Sequence, residues 1–192
     1  DFDELLYEVH KRGMKLIIDL VVNHTSDEHE WFIESKSSKD NPKRDWYIWK
    51  SGKDGKEPNN WESIFKGSVW EYDEKTDEYF LHLFSKRQPD LNWENEEVRK
   101  AVYEMINWWL DKGIDGFRVD AISHIKKDQT FADLPNPNNK AYVESFDKHM
   151  NYKGIHFFLS ELKNETFDKY DIMTVGEANG VKADVDADLW VG

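Results

Sequence analysis

The sequence predicts an α/β fold in which helices and parallel strands alternate and a separate lobe interrupts the alternation. Helical and near-continuous apolar segments succeed one another along the 192 residues, and strands alternating with helices imply parallel pairing with right-handed crossovers. Between the first and second such strands lies a polar, aromatic stretch from Thr25 to Trp93. It is too long for an ordinary connection, so it reads as an inserted lobe.

Residues 1–12, DFDELLYEVHKR, place Phe2, Leu5, Leu6 and Val9 at helical spacing, with acids early, bases late and Gly13 as the stop. Met14 to Val22, MKLIIDLVV, is a run of β-branched and leucine residues, which predicts a parallel strand covered on both faces. Inside the lobe, SVWEY and EYFLHLF are short alternating runs joined by DEKTD, which predicts an antiparallel hairpin. NEEVRKAVYEMINWWLDKG then carries Val98, Val102, Met105, Ile106, Trp109 and Leu110 on one helical stripe, and IDGFRVDA follows as a second buried strand. After the loop DLPNPNNK, helices are predicted around Ala141 to Met150 and Ile155 to Tyr170, and DIMTVGEA is the third strand.

Composition narrows the function classes. The chain has 39 acidic and 26 basic residues, a formal charge of −13, and no local basic patch, so a nucleic-acid partner is not expected. No apolar run approaches a membrane span and no leader is evident, so no membrane partner is expected. The absence of cysteine makes a reducing cytoplasm the expected location. The 9 Trp, 8 Tyr and 11 Phe suit the apolar face and hydroxyl rim of a sugar, although composition alone favours a large aromatic core.

The three strands end in polar residues: Asn23 and His24, then Asp120, then Glu177. In a parallel α/β sheet or barrel all C-terminal strand ends lie on one face, where such folds build active sites. Period-two alternation puts Arg118 and Asp120 on one side of their strand, and Asp19 lies in a strand that should neighbour it. An unpaired charge there is costly, so an Asp19–Arg118 ion pair is expected, with Arg118 also holding Asp120 ionised. Glu177 has no obvious cationic neighbour in the sequence, and a raised pKa through desolvation is expected for it. Two carboxyl groups in unlike environments match the pair that cleaves glycosides, although strand-end caps would look the same in sequence.

These residues also carry a resemblance. DLVVNH (Asp19 to His24), GFRVDA (Gly116 to Ala121) and TVGEA (Thr174 to Ala178) resemble three signature blocks of the α-amylase family of glycoside hydrolases, in the family's order. QPDLNWEN, NNWESIF and EYFLHLFSKRQPDLNW are similar to the oligo-1,6-glucosidase and α-glucosidase branch. The resemblance implies a partial (β/α)8 TIM barrel, about strands 3 to 5. Residues 1–25 and 94–192 would belong to the barrel, and 26–93 to a small α+β domain inserted after strand 3. It implies Asp120 as nucleophile and Glu177 as general acid/base. His24, Arg118, Phe65, Phe84 and Gln88 are implied as contacts of the substrate's terminal glucose, with Asp19 bracing Arg118.

It further implies a small oligosaccharide substrate, no cofactor and no metal, because Ser123 stands where calcium-binding amylases tend to have lysine. In those amylases the residues matching Asn23 and the His124 carbonyl help to hold calcium. Ala121 leaves room beside the nucleophile, which points to a broad α-glucosidase taking maltose-like and isomaltose-like ends. The family's third carboxylate has no counterpart within this chain. Since a barrel of this kind takes roughly 250 residues, a longer enzyme is expected, and the segment alone should expose two sheet edges. The rival readings are a transglucosidase or isomerase of the sucrose or trehalose type, and a non-catalytic amylase-like scaffold.

Overall fold

A computed structural model describes residues 1–181; the end of the second expected barrel segment, 182–192, lies outside the described residues. The first helix, α1 (Phe2–Lys11), opens on a capping box between Asp1 and Glu4, and its Leu6 is buried. The chain then enters β1 (Ile17–Val21). Asp115 stitches this entry to the later strand, accepting from Lys15 Nζ at 2.7 Å, from the Leu16 N–H at 2.8 Å and pairing with His10 Nε2 at 2.8 Å. Burial pushes the Asp115 carboxyl up, but these hydrogen bonds prevail and hold it at about 2.

The segment between β1 and the next long helix folds around α2 (Glu30–Ser37), β2 (Trp49–Lys50), β3 (Trp61–Glu62), β4 (Trp70–Asp73) and β5 (Glu78–Leu81). β4 and β5 pair antiparallel from Trp70↔Leu81 to Asp73↔Glu78, the hairpin expected from their alternation, and β2 joins on the far side of β5. Phe32 of α2 seals this sheet, meeting Tyr47 and Phe80 edge-on at 5.0 Å each.

α3 (Glu96–Asp111) starts where the Asn95 side chain accepts from the Glu97 N–H at 2.9 Å. Val98, Val102, Ile106 and Leu110 are buried along it, each worth about 1.5–3 kcal/mol; Met105 and Trp109 are partly buried. It delivers β6 (Gly116–Asp120), and later α4 (Ile155–Glu165) delivers β8 (Met173–Gly176), with the short β7 (Val143–Glu144) between them. The main sheet runs β1-β6-β8, all parallel. Leu20, Phe117 and Val119 turn to the helices and form one core with the apolar sides of α3 and α4. A second cluster, including Trp61, Trp70, Leu83 and Phe131, lies under the hairpin.

Two expectations are corrected. Ala141 to Met150 is not a helix: Val143 pairs with Trp61 in parallel, its N–H donating to Asn60 O at 2.8 Å, and only a 3-10 turn follows at Phe146–Lys148. Backbone pairing with a distant strand has overridden local preference. Nor is β1 covered on both faces. Leu20 alone is buried in β1, and β8 is exposed throughout. The helices cover one side only, and the bare side carrying Ile17, Asp19 and Val21 is the one a closed barrel turns toward its axis. β1 and β8 each pair only with β6, so two unpaired edges remain among the described residues, as expected.

Candidate active site

The parallel register sets Asp19 beside Arg118 and Val21 beside Asp120. Glu177 follows β8 directly and is tied to the same strand, its N–H donating to Val119 O at 2.9 Å. These placements converge on the Arg118 guanidinium. Nη1 donates to Asp19 Oδ1 at 2.9 Å and to Asp120 Oδ1 at 2.5 Å, while Nη2 donates to Glu177 Oε2 at 2.8 Å. Its hydrogen bonds to Asp19 and then to Asp120 push the guanidinium further above its already high range. The two acids therefore stand on one face of the sheet.

The expectation that Glu177 lacks a cation is overturned. Glu177 is distant in sequence from every basic residue of β6, yet the shared guanidinium reaches it. A second donor also points at it: Ala121 takes a left-handed backbone (φ 47°, ψ 29°), and its N–H lies 3.3 Å from Glu177 Oε2. That amide contact was not legible in the sequence.

His24 lies just beyond β1 and is nearly buried. Gln88 Nε2 stands 3.0 Å from His24 Nε2 and Asn23 Nδ2 stands 3.3 Å from His24 Nδ1, so amide groups flank both ring nitrogens. Burial, more than any charge nearby, pushes the ring's pKa down and so favours the neutral imidazole. The Ser85 N–H holds the other end of the Gln88 amide at 3.3 Å. Phe84 packs 5.3 Å from His24 and 5.8 Å from Phe65, which projects with 65% of its surface exposed. His24, Gln88, Phe84 and Phe65 thus form one continuous wall, joining the end of β1 to the segment between β1 and α3.

Beneath His24 lies a network the sequence did not reveal. Lys127 Nζ reaches Asn23 Oδ1 and Asp90 Oδ2, each at 2.9 Å, and Asn23 Nδ2 donates to Asp90 Oδ2 at 3.1 Å. Lys127 sits in a polar run, IKKD, that reads as a solvated loop. Because the Asn23 oxygen accepts from an ammonium that also neutralises Asp90, this set does not fit a calcium ion. Among the described residues no group of three or more His, Asp or Glu is arranged to hold a metal. His29, in the histidine-rich HTSDEHE stretch, instead caps α2 by accepting from the Trp31 N–H at 3.1 Å.

A cleft of about 540 Å³ lies between α4 and the other face of β6 and β8, lined by Val119, Ile122, Leu159, Phe167 and Thr174. It contains neither acid of the cluster, and alternation along β6 explains why: Val119 points away from Arg118 and Asp120.

The family profile described as Alpha amylase, catalytic domain, matches residues 1–191. The chain belongs to the α-amylase family. Its sheet is part of that family's TIM-barrel catalytic domain. Over 192 residues the chain is 70% identical to the probable oligo-1,6-glucosidase 3 of Bacillus subtilis (strain 168), covering 100% of this chain and 34% of the relative. It is 61% identical over 181 residues to the oligo-1,6-glucosidase of Parageobacillus thermoglucosidasius, covering 94% of this chain and 32% of the relative. The crystal structure of Bacillus licheniformis trehalose-6-phosphate hydrolase superposes with a TM-score of 0.87 at 52% identity, covering 94% of this chain and 32% of that one. The chain spans about a third of the length of the curated α-amylase relatives it matches. Among the described residues, no helix is long and apolar enough to cross a membrane.

Proposed function

We propose that this chain supplies strands 3 to 5 and the inserted domain, 26–93, of a retaining α-glucosidase that releases glucose from the non-reducing ends of short α-1,6- and α-1,4-linked glucosides. Asp120 is the nucleophile and Glu177 the acid/base. Glu177 delivers its proton to the glycosidic oxygen as an Asp120 oxygen bonds the anomeric carbon; the bond to the departing sugar breaks and a glycosyl ester remains. Water then passes a proton to Glu177 while its oxygen bonds the anomeric carbon, and the ester bond breaks to free Asp120.

The observation that carries this reading is the single guanidinium donating to Asp120 and Glu177 at once. A shared donor favours two acids acting across one bond rather than two independent caps. The wall of His24, Gln88, Phe84 and Phe65 offers a neutral polar contact and ring faces for a terminal glucose. The names of the relatives, oligo-1,6-glucosidases above all, support the substrate class. A cysteine-free composition favours a cytoplasmic location.

The test is turnover of isomaltose and maltose by the full-length protein, with the product anomer followed by NMR and Asp120→Ala as control. Free α-glucose as first product and loss of at least about 10³-fold in the variant are expected. Full activity in Asp120→Ala removes the nucleophile assignment, and an isomerised disaccharide in place of glucose points to a transglucosidase.

A further inference from the structure

The turns that follow Asp120 and Glu177 are held together by a residue on neither strand. Asn151 has a left-handed backbone, φ 51°, a conformation that asparagine tolerates better than most residues. Its N–H donates to Ser123 O at 2.8 Å, in the turn after Asp120. Its side-chain Nδ2 donates to Asn179 O at 2.9 Å, in the turn after Glu177. A backbone carbonyl only accepts, so the amide orientation is determined.

Neighbouring contacts hold the same loop on both sides. His149 and His124 are buried, with Nδ1 atoms 3.0 Å apart, which anchors the loop a second time to the Asp120 side. Gly180 has φ 77°, and a Cβ there would stand 2.7 Å from Met150 Cε and 3.2 Å from Asn151 Nδ2. The turn after Glu177 therefore lies so close to Met150 and Asn151 that a side chain at position 180 would not fit between them. Among the described residues, Glu177 itself is held by its backbone N–H to Val119 O and by its side chain to Arg118 and the Ala121 N–H.

We propose that Asn151 is a positioning residue that sets the spacing between Asp120 and Glu177. The inference rests on the catalytic reading of these two acids. Their spacing decides the chemistry, since about 5–5.5 Å allows direct attack and about 6.5–9.5 Å leaves room for a water. A slack clamp moves the Glu177 turn more than the Asp120 strand, because Asp120 lies within β6 in register with Val21, whereas Glu177 lies one residue beyond the end of β8. Proton delivery should then suffer before nucleophilic attack does.

The test compares two substrates in the full-length protein. Isomaltose has a poor leaving group that needs the acid's proton; 4-nitrophenyl α-glucoside has one that departs as the anion. Asn151→Asp keeps the side-chain shape without the donor, and Asn151→Gly keeps the backbone conformation without the side chain. Both should lose about 100-fold in kcat on isomaltose and less than about tenfold on the nitrophenyl substrate. The ratio of the two rates does not depend on how much protein folds, so a merely structural defect would leave it unchanged. An unchanged ratio in both variants overturns the clamp, while inactive Asp120→Ala leaves the catalytic reading standing. Active Asp120→Ala removes that reading and the clamp with it.

Discussion

Lys127 Nζ lies 2.9 Å from Asp90 Oδ2 where the two side chains are 1% and 0% exposed. Burial pushes the lysine's pKa down and Asp90 pulls it back. The remaining capacity of the carboxylate is met by Asn23 Nδ2 and by the Leu83 N–H at 3.0 Å. Removing one partner strands a buried charge, so Lys127→Met should lower stability by about 3–5 kcal/mol in urea unfolding of the full-length protein. The double variant with Asp90→Asn should recover part of that loss. A single variant as stable as the parent would show the pair to be dispensable.

Arg118 serves three carboxylates with one planar fork, which a lysine cannot imitate. Arg118→Lys should lower kcat/KM by about 100-fold. Asp19→Asn leaves the bonds to Asp120 and Glu177 in place and should cost far less. Equal losses in the two variants would contradict this ranking.

The His124–His149 pair should make stability pH-dependent. Burial and then the Lys127 charge hold His124 at about 4, against the pull of Asp90 and Glu177. Burial, His124 and Lys127 hold His149 at about 3. The unfolded chain binds protons at both rings as pH falls through about 6.5, while the folded chain does not until about 4 and below. Stability should therefore fall between about pH 6.5 and pH 4, by up to about 1.4 kcal/mol per pH unit for each ring. Urea midpoints between pH 7 and pH 5 measure this slope, and His149→Asn should flatten it; a slope identical to the parent's would refute the assignment.

Gly116 allows β8 to lie against β6. It has φ 147°, and a Cβ there would fall 1.7 Å from Met173 O, a backbone atom that cannot turn aside. Gly116→Ala should cost about 3 kcal/mol or more and loosen the strand that positions Glu177. A parental unfolding midpoint would mean that the strands separate without cost.

Much of this arrangement was legible without coordinates. The alternation of helix and strand, the β4–β5 hairpin, the stripe of α3 and the common side of Arg118 and Asp120 are local periodicities, written in residues a few positions apart. Even the Asp19–Arg118 pair follows once the two strands are taken as neighbours. The failures are of another kind. Within Ala141 to Met150, Val143 pairs with Trp61, a partner remote in sequence, so local helical spacing does not decide the structure there.

The sequence by itself determined which chemistry-bearing residues end each strand and which face of a strand they share, because side-chain direction follows the backbone period. Only the tertiary structure decided that Arg118 reaches Glu177, that Lys127 fills the space beside Asn23, and that Asn151 joins the two turns. Those contacts depend on strand register and on the paths of long loops, and both are set by packing across the whole fold.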